Sequence, residues 1–509
     1  MKTYLRISFY LAAVTCAASA FGQFVTYSVK QAPAPIYTEA LPVCAPEDLR
    51  KVSLPNTTID SVTVEKNVCK VTLTVTHPPA TDRVKIWVAL PMKNWNGRLL
   101  GQGGMGFAGG VEFFTLIPAA TGFVTVATDG GHDASVGGAF AMTADGRVDW
   151  QSLRNFSHLA VHEMTVIAKA LTQAFYGKPA RYSYFCGLSN GGRQAMQAAQ
   201  RYPEDYNGII SAAPAIEYGR VILTHLWPQV VMLDAKHTVS PDKLKAVTAA
   251  AIEACDATDG AVDGIIDDPI RCDWNPKALV GKTVGGSTFT EADADIIRKI
   301  WEGPRTHDGK FLSYGFPRGS DLTEFAAKPP TGGAEWIKYF LLQDPKWDWK
   351  TITTEKYELL FKQSDDQYAS LFAAPKPDLS GLRDHKGKLM IVQGMADQMV
   401  PPEGPIEYYE NLVKRMGGLE QVQPFARLFL VPGIDHMMGG SVELLDSLIL
   451  WVENGQAPEQ ITWKTRVPGG KTGQRPVFPY PLKTVYQPSK NSDDKSNWVS
   501  KEGPRFSLK

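Results

Sequence analysis

The residues best suited to chemistry in this sequence are a serine flanked by glycines and, much later, an acid and a histidine. Residues 187–191 form a G-x-S-x-G motif with Ser189 at its centre. A β-like run over 182–186 enters the motif, and a helical run over 193–202 leaves it. This is the context of a nucleophile elbow, whose tight turn exposes the serine hydroxyl. We predict that Ser189 is a nucleophile; the alternative is a glycine-rich turn with an incidental serine.

A serine hydroxyl needs a base, and in this arrangement the acid and then the histidine follow the serine along the chain. Asp397 comes just after a strand-like segment over 388–394, and His436 follows another over 427–433. We predict that His436 is the base and that Asp397 orients it. Asp435 is the competing acid, but it is disfavoured because side chains adjacent in sequence point in different directions.

Acyl transfer also needs two N–H groups that stabilise a developing oxyanion. Asn190, directly after the nucleophile, is predicted to supply one through its backbone. The glycine-rich segment over 101–106 is predicted to supply the other, with Gly104 favoured and Gly103 second. A phosphate-binding loop is the alternative for this segment, but no dinucleotide-binding helix pattern follows it.

The elements that must position these groups read as strands alternating with helices, which predicts a mostly parallel sheet. The fold class is therefore α/β, an α/β-hydrolase fold with a large inserted lid domain. The core is predicted over 21–215 and 376–509. The lid is predicted over 216–375, where proline, glycine and tryptophan are frequent and strand signals are few.

Composition restricts the classes of function. The 509 residues are 44% hydrophobic and 21% charged with a formal net charge of zero, so neither disorder nor nucleic-acid binding is indicated. Residues 1–20 carry Lys2, Arg6, an apolar run and a small-x-small end, which predicts a signal peptide and a secreted or periplasmic protein. No later stretch is long and apolar enough to predict a membrane span.

Cysteines in an exported protein are expected to form disulfides. Five follow the signal segment, and proximity in sequence favours a Cys44–Cys69 pair and a Cys255–Cys272 pair. Cys186 lies in an apolar run and is expected to be a buried, inert thiol.

Three carboxylates crowd the segment over 255–265 and would repel one another unless something neutralises them. Ca²⁺ accepts oxygen ligands in irregular geometry, so we predict a structural calcium site in the lid. The alternative is an exposed acidic turn held by a disulfide. The predicted ligands are the carboxylates of Asp256, Asp259 and Asp263 and the carbonyls of Ala261 and Ile265.

The sequence over 184–215 resembles the tannase/feruloyl esterase family of α/β-hydrolases, which includes hydrolases of mono-hydroxyethyl terephthalate. Shorter similar stretches are LPNTTI from Leu54, AVHEMT from Ala160, DPKWDW from Asp344, VPGIDHMMGG from Val431 and RPVFPYP from Arg475. The resemblance implies Ser189, Asp397 and His436 as the triad and a calcium site in the lid, with no organic cofactor. It also implies a small-molecule substrate, an ester of a feruloyl, galloyl or terephthaloyl type of acid. An esterase of other acyl specificity and a non-catalytic binding protein on the same scaffold are the alternatives.

The sequence departs from the family pattern beside the triad. The family usually has bonded cysteines just before the serine and just after the histidine, where this chain has Leu188 and Met437. We expect an apolar contact between these two side chains in place of the covalent link. A family disulfide near the C-terminus is also lost, with Phe478 where a cysteine is usual.

Overall fold

The structure is a computed structural model that describes residues 34–37, 40–328, 331–438, 444–466, 472–487 and 498–506. The predicted signal peptide over 1–20 lies outside these residues. Within them, no helix is both long enough and apolar enough to cross a bilayer.

A nine-stranded sheet forms the centre of the molecule, in the order β1-β2-β3-β5-β4-β6-β7-β10-β11. Neighbours from β1 to β5 run antiparallel, and neighbours from β5 to β11 run parallel. The remaining strands form three two-stranded ribbons. The strands are β1 (Thr57–Glu65), β2 (Val68–Val75), β3 (Val84–Pro91), β4 (Arg98–Gln102), β5 (Val124–Thr128), β6 (Tyr182–Leu188), β7 (Gly208–Ala212), β8 (Thr283–Val284), β9 (Ser287–Thr288), β10 (Lys388–Gly394), β11 (Ala426–Val431), β12 (Ile461–Arg466), β13 (Thr472–Val477), β14 (Leu482–Tyr486) and β15 (Trp498–Glu502).

Helices connect the parallel strands and cover both faces of the sheet. The α-helices are α1 (Phe113–Ala120), α2 (Trp150–Arg154), α3 (Ala160–Tyr176), α4 (Asn190–Arg201), α5 (Tyr218–Thr224), α6 (Trp227–Ala235), α7 (Pro241–Cys255), α8 (Glu291–Glu302), α9 (Thr323–Ala326), α10 (Thr331–Glu335), α11 (Thr354–Phe372), α12 (Ser380–Asp384), α13 (Glu403–Arg415), α14 (Leu419–Val422) and α15 (Leu444–Asn454). Two π-helical segments, Asn155–Leu159 and Trp336–Leu341, and several 3₁₀ turns complete the set.

The central strands are buried on both faces, and this explains their composition. Every residue of β4, β5 and β7 is buried, as is almost all of β6 and β10. Strands covered by helices on both sides are rich in Val, Ile and Leu and do not alternate with polar residues. The mostly parallel sheet with flanking helices confirms the predicted α/β class.

The chain between β7 and β10 builds a mainly helical layer with its own apolar core. That core includes Trp336, Phe340 and Phe361, each fully buried, and it also takes in Phe156 from the segment that joins α2 to α3. The insertion is thus packed onto the residues beside the sheet. Its predicted boundaries at 216 and 375 stay a prediction.

One predicted disulfide is present and the other is wrong. Cys255 and Cys272 are bonded, with their Cα atoms 5.8 Å apart. Cys44 and Cys69 are both free thiols. The Cys44 thiol contacts the carbonyl oxygen of Ala174 at 3.7 Å, and Cys69 is fully buried within β2. Closeness in sequence therefore did not bring these two sulfur atoms into bonding geometry.

Candidate active site

The turn that carries Ser189 lies between β6 and α4. Ser189 has φ 62° and ψ −119°, a conformation that few residues other than glycine adopt, and its N–H donates to the Ala212 carbonyl at 3.0 Å. A Cβ at Gly187 would lie 2.1 Å from the Gly191 carbonyl oxygen, so the turn requires a residue without a side chain there. A backbone conformation like that of Ser189 costs about 1–3 kcal/mol and is typical of turns at functional sites.

A buried histidine–aspartate pair lies at the same edge of the sheet. His436 Nδ1 is 3.0 Å from both carboxylate oxygens of Asp397, and both side chains are buried. Asp397 follows β10 and His436 follows β11, and these two strands are parallel neighbours. Because the carboxyl ends of parallel strands share one edge, the two loops and the Ser189 turn face the same side of the sheet.

The Asp397 carboxylate is held in place by further donors. Oδ1 accepts the N–H groups of Met399 and Val400, each at 2.8 Å, and Oδ2 accepts Gln393 Nε2 at 3.1 Å. These bonds leave the carboxylate one orientation, with Nδ1–H of His436 directed at it. In the described part of the chain, no hydrogen bond joins Ser189 Oγ to His436, so the contact between them stays a prediction.

The competing acid is placed differently. Asp435 is exposed, and its Oδ1 accepts the backbone N–H of Met437 at 3.1 Å. The geometry therefore favours Asp397 over Asp435 as the partner of His436.

The glycine-rich loop after β4 packs directly against the elbow. Gly191 N–H donates to the Gly104 carbonyl at 3.0 Å. The Gly104 N–H donates to Gln194 Oε1 at 2.9 Å, and the Gly103 N–H donates to the Cys186 carbonyl at 3.0 Å. The N–H groups of both predicted glycines thus already donate hydrogen bonds within the protein. The oxyanion role of Gly104, and that of Asn190 at the first position of α4, stays a prediction.

Comparison with known proteins identifies the family. The sequence profile of "Tannase and feruloyl esterase" matches residues 69–500. The chain belongs to the tannase and feruloyl esterase family. It is therefore a carboxylic ester hydrolase of the feruloyl esterase and tannase type, which confirms the resemblance seen in the sequence.

Individual relatives agree with this assignment. A probable feruloyl esterase of Arthroderma benhamiae is 38% identical over 470 residues, which cover 87% of this chain and 86% of that protein. Feruloyl esterase B of Aspergillus niger is 29% identical, covering 90% of this chain and 91% of that one. The crystal structure of feruloyl esterase B from Aspergillus oryzae superposes with a TM-score of 0.78 at 25% identity, covering 89% of this chain and 99% of that one. Tannin acyl hydrolase from Aspergillus niger, at 22% identity, shares the fold with a TM-score of 0.79 over 92% of this chain and 97% of that one.

The acidic loop of the lid is neutralised by an arginine, which overturns the predicted calcium site. Arg475, in β13, donates to Asp263 and, at 2.8 Å, to Asp267, and it lies 3.7 Å from Asp259. Its guanidinium also stacks 3.9 Å from the ring centroid of Trp498. One buried guanidinium thus contacts three of the carboxylates, and burial raises the pKa of Asp267 to about 8, so protonation removes part of the remaining negative charge.

The remaining predicted calcium ligands are also engaged within the protein. The Asp256 carboxylate accepts the backbone N–H groups of Asp263, Gly264 and Ile265, and Asp259 Oδ1 accepts the N–H of Ala261 at 2.9 Å. Ala261 and Ile265 therefore direct their N–H groups at these carboxylates. Among the residues that the structure describes, no group of three His, Cys, Asp or Glu side chains could hold a metal ion. The calcium prediction is wrong.

Beside the triad, Leu188 shares an apolar cluster with Met438 and not, as expected, with Met437. Leu188 is buried in an apolar cluster that also contains Met438, whose positive φ of 52° turns the loop. Met437 is partly exposed. The methionine of the histidine loop that shares this cluster with Leu188 is thus Met438.

Two histidines that the sequence analysis did not single out form hydrogen bonds to loops of the site. His225, at the end of α5 in the insertion, lies with Nε2 2.7 Å from the Met399 carbonyl, in the loop of Asp397. His132 Nε2 lies 2.6 Å from the Phe107 carbonyl, just after the glycine-rich loop. Burial lowers the pKa of each to about 4, so each is neutral and donates its one N–H to that carbonyl. No local motif marks either residue, because its partner is distant in sequence.

Proposed function

We propose that this protein is an exported serine esterase that hydrolyses esters of aromatic acids through an acyl-enzyme at Ser189. The observation that carries the proposal is the buried His436–Asp397 hydrogen bond at the sheet edge where the strained turn exposes Ser189. An imidazole fixed at Nδ1 by a carboxylate has Nε2 free to accept the proton of a serine hydroxyl. The coarser activity, hydrolysis of a carboxylic ester, follows from the family.

The reaction then has two halves. Ser189 Oγ attacks the ester carbonyl carbon while His436 Nε2 takes its proton, and the Asn190 N–H stabilises the oxyanion. The tetrahedral intermediate collapses, the C–O bond to the alcohol breaks, and His436 returns the proton to the leaving alkoxide. In the second half, water attacks the acyl carbon of the acyl-enzyme while His436 Nε2 takes its proton. The bond to Ser189 Oγ then breaks, His436 returns the proton to Ser189, and the acid is released. Asp397 stays ionised throughout and stabilises the imidazolium.

An aromatic acyl group is supported by the side chains above the glycine-rich loop. Phe107 is partly exposed, and its ring stacks 5.9 Å from Phe340 of the insertion. The Tyr218 hydroxyl donates to the Gly106 carbonyl at 2.8 Å and fixes a second ring beside the loop. Tyr218 and Phe340 are buried, so they support Phe107, whose partly exposed ring is available to stack on a flat aromatic acyl group. The relatives named feruloyl esterase and tannin acyl hydrolase act on substrates of that kind by name.

The decisive experiment combines a nucleophile variant with a substrate panel. Ser189→Ala should fold normally and lose on the order of 10⁶ in kcat, whereas Ser287→Ala, an exposed serine of β9, should behave as wild type. An aryl fluorophosphonate should label the wild type but not Ser189→Ala. Turnover is compared on methyl ferulate, methyl gallate, mono-hydroxyethyl terephthalate and alkyl acetates. Substantial activity in Ser189→Ala contradicts the nucleophile, and a preference for alkyl acetates contradicts the aromatic acyl group.

Export is supported only by the sequence of the first twenty residues. A charged start, an apolar run and Ala18-Ser19-Ala20 are the signals that a signal peptidase reads. Expression of the full chain in a bacterial host should place the protein in the periplasm or medium with Phe21 as its first residue. An uncleaved chain in the cytoplasmic fraction contradicts export.

A further inference from the structure

A fully buried arginine lies one helical turn after Ser189. The guanidinium of Arg193 donates Nε–H to Asn190 Oδ1 at 2.8 Å, Nη1–H to the Ser157 carbonyl at 2.8 Å and Nη2–H to the Phe156 carbonyl at 3.1 Å. Arg193 has no exposed surface. Within the described residues, every partner of this charge is neutral. A buried charge normally has a counter-ion because desolvation of a lone charge is costly.

The surroundings of Arg193 keep it charged without cancelling the charge. Three aromatic rings face the guanidinium, with centroids 5.3 Å away for Phe156, 5.2 Å for Tyr218 and 5.8 Å for Phe372. Such rings attract a cation through their quadrupoles but carry no net charge. Burial lowers the pKa of Arg193 to about 10, which leaves it protonated at neutral pH.

The two accepting carbonyls belong to a widened turn of helix. Phe156 and Ser157 lie in the π-helical segment Asn155–Leu159, between α2 and α3. π-Helical turns are rare and occur frequently at functional sites. Here the widened turn presents consecutive carbonyls to one guanidinium, so an irregularity of the backbone holds the charge in place.

Through Asn190, Arg193 is linked both to the start of α4 and to the segment after the glycine-rich loop. Asn190, whose Oδ1 accepts from Arg193, donates Nδ2–H to the Ala108 carbonyl at 3.1 Å, just after the glycine-rich loop. Asn190 is also the first residue of α4, whose N-terminal dipole is positive towards Ser189. The charge of Arg193 has the same sign as this dipole and lies behind it.

We propose that Arg193 is an electrostatic positioning residue, whose uncancelled charge stabilises the oxyanion and whose hydrogen bond fixes Asn190 beside Ser189. The proposal rests on Ser189 as the nucleophile. A charge in a water-excluded region acts on a developing oxyanion more strongly than it would in solvent. It acts in the transition state, where the oxygen becomes negative, and little on the neutral ester, so it raises kcat with little effect on KM.

The test compares a variant that removes the charge with one that keeps it. Arg193→Met should lower kcat by about 10- to 100-fold, less than the roughly 10²- to 10³-fold loss of a direct oxyanion donor because Arg193 acts from a distance, with KM changed less than threefold. The affinity of an aryl boronic acid, which forms a tetrahedral anion on the serine, should fall by the same factor as kcat. Arg193→Lys keeps the cation among the three rings and should recover at least part of the loss in both measurements.

Thermal unfolding separates this role from a purely structural one. If Arg193 is only a structural link, Arg193→Met lowers the melting temperature while kcat and boronic acid affinity stay within twofold of wild type, and that result overturns the proposal. Equal losses in the Lys and Met variants also overturn it, because the charge is then irrelevant.

A second variant serves if Arg193→Met does not fold. Arg193→Gln removes the charge but keeps a side-chain amide that can donate to Asn190 Oδ1. We expect kcat to fall at least 10-fold with KM nearly unchanged, and wild-type turnover would overturn the proposal. Failure of the nucleophile assignment is recognised separately, because Ser189→Ala would then retain turnover and phosphonate labelling whatever the Arg193 variants do.

Discussion

Both oxygens of the Asp397 carboxylate accept hydrogen bonds. The site therefore needs a group that accepts hydrogen bonds at both positions, as well as a negative charge. Asp397→Asn places an NH₂ group where the pair needs an acceptor, and His436 must then turn Nδ1 into an acceptor and present Nε2–H to Ser189. We expect kcat to fall by about 10⁴ with the fold intact, the size of loss typical when the tautomer is wrong. Asp435→Asn is the matched control and should stay within twofold of wild type in steady-state kinetics. A mild loss in Asp397→Asn, or a severe one in Asp435→Asn, would reverse the assignment of the acid.

His225 tests whether the insertion helps to hold the acid loop. Its N–H donates to the Met399 carbonyl, two residues after Asp397. His225→Leu leaves that carbonyl without a donor, so we expect a loss of about 1–3 kcal/mol in the free energy of unfolding and a fall in kcat of about 10-fold or more through displacement of the loop. His225→Gln restores a donor and should recover part of both.

The control for His225 is a histidine of the same layer that does not touch the acid loop. His237 pairs with Asp293 at 2.9 Å at the start of α8. His237→Leu should lower stability while kcat, measured below the unfolding temperature, is retained. Equal kcat losses in both variants would mean that general loosening of the insertion, and not the Met399 contact, is responsible.

The local signal at each predicted residue explains which assignments could be made from the sequence. Ser189 follows a buried strand and precedes a helix, and Asp397 and His436 follow strands, so their placement depends on short stretches of chain. Gln194, Arg193 and His225 could not be assigned, because each acts on a segment that only the fold brings near. The Gln194 side chain, for example, holds Gly104 across a separation of 90 residues.

At the scale of elements, sequence reasoning located the strands that carry the site. The strand-like segments that begin at 182, 388 and 427 match the starts of β6, β10 and β11 to within one residue, because long apolar runs ending in glycine signal buried strands. The short strands β4, β5 and β7, of five residues each, were not singled out. Neither the order of the strands nor the antiparallel edge β1-β2-β3 follows from local patterns, since both depend on long-range pairing.

The disulfide between Cys255 and Cys272 closes the acidic loop, with a sequence separation of 17. A cross-link around a loop of this size restricts the unfolded chain by about 3 kcal/mol. Cys255→Ser/Cys272→Ser should therefore lower the free energy of unfolding in urea by about that amount. Cys44→Ser, which removes a partly exposed free thiol, is the control and should change stability little. A larger effect of Cys44→Ser would indicate that Cys44 forms a bond in solution.

Arg475 connects β13 to the acidic loop across 208 residues of sequence, and this explains why the sequence suggested a cation of another kind. Crowded carboxylates require a positive charge, but their pattern is the same whether calcium or a guanidinium supplies it. Removal of one partner from a buried ion pair typically costs about 3–5 kcal/mol, so Arg475→Met should destabilise the protein by that order in urea unfolding. Excess EDTA should leave the wild-type melting temperature unchanged. A clear drop with EDTA would contradict the arginine as the neutralising group.

At the scale of the whole molecule, the candidate active site at the edge of the sheet is assembled from three separate segments of the chain. The serine turn comes before the insertion in sequence, whereas the acid and histidine loops come after it. The insertion contacts the glycine-rich loop through Tyr218 and the acid loop through His225. The apolar core of the insertion also includes Phe156, whose carbonyl binds Arg193. Stability of the insertion and geometry of the site are therefore coupled, so that unfolding of one should be accompanied by loss of the other.

Three histidines with lowered pKa values contribute a pH dependence to the stability of the fold. Burial lowers the pKa of His132, His158 and His225 to about 4 in the folded protein, against about 6.5 when unfolded. A depressed folded pKa contributes stability that is present above pH 6.5 and is lost as the pH falls towards 4. Each histidine should cost about 2 kcal/mol by pH 5, relative to pH 7.5.

Other groups act in the opposite direction and limit the effect. Carboxylate partners raise the pKa of His77 and of His162, and burial raises the pKa of Asp129 to about 6. These three groups, together with Asp267, whose pKa burial raises to about 8, take up protons more readily in the folded state, so they stabilise it as the pH falls. The two sets of contributions oppose each other and are of similar size, so the role of the histidines is tested by the difference in pH dependence between wild type and a variant that lacks one of them.

Urea unfolding at these two pH values and constant ionic strength measures the difference directly. The His225→Gln variant removes one of the three groups and should lose about 2 kcal/mol of the pH dependence, whereas His385→Gln, at an exposed position, should keep all of it. Because His225 also holds the acid loop, its protonation should release that loop and lower kcat as the pH falls towards 4. If His225→Gln and wild type showed the same change of unfolding free energy between pH 5 and pH 7.5, His225 would titrate equally in the folded and unfolded states, which would contradict its burial.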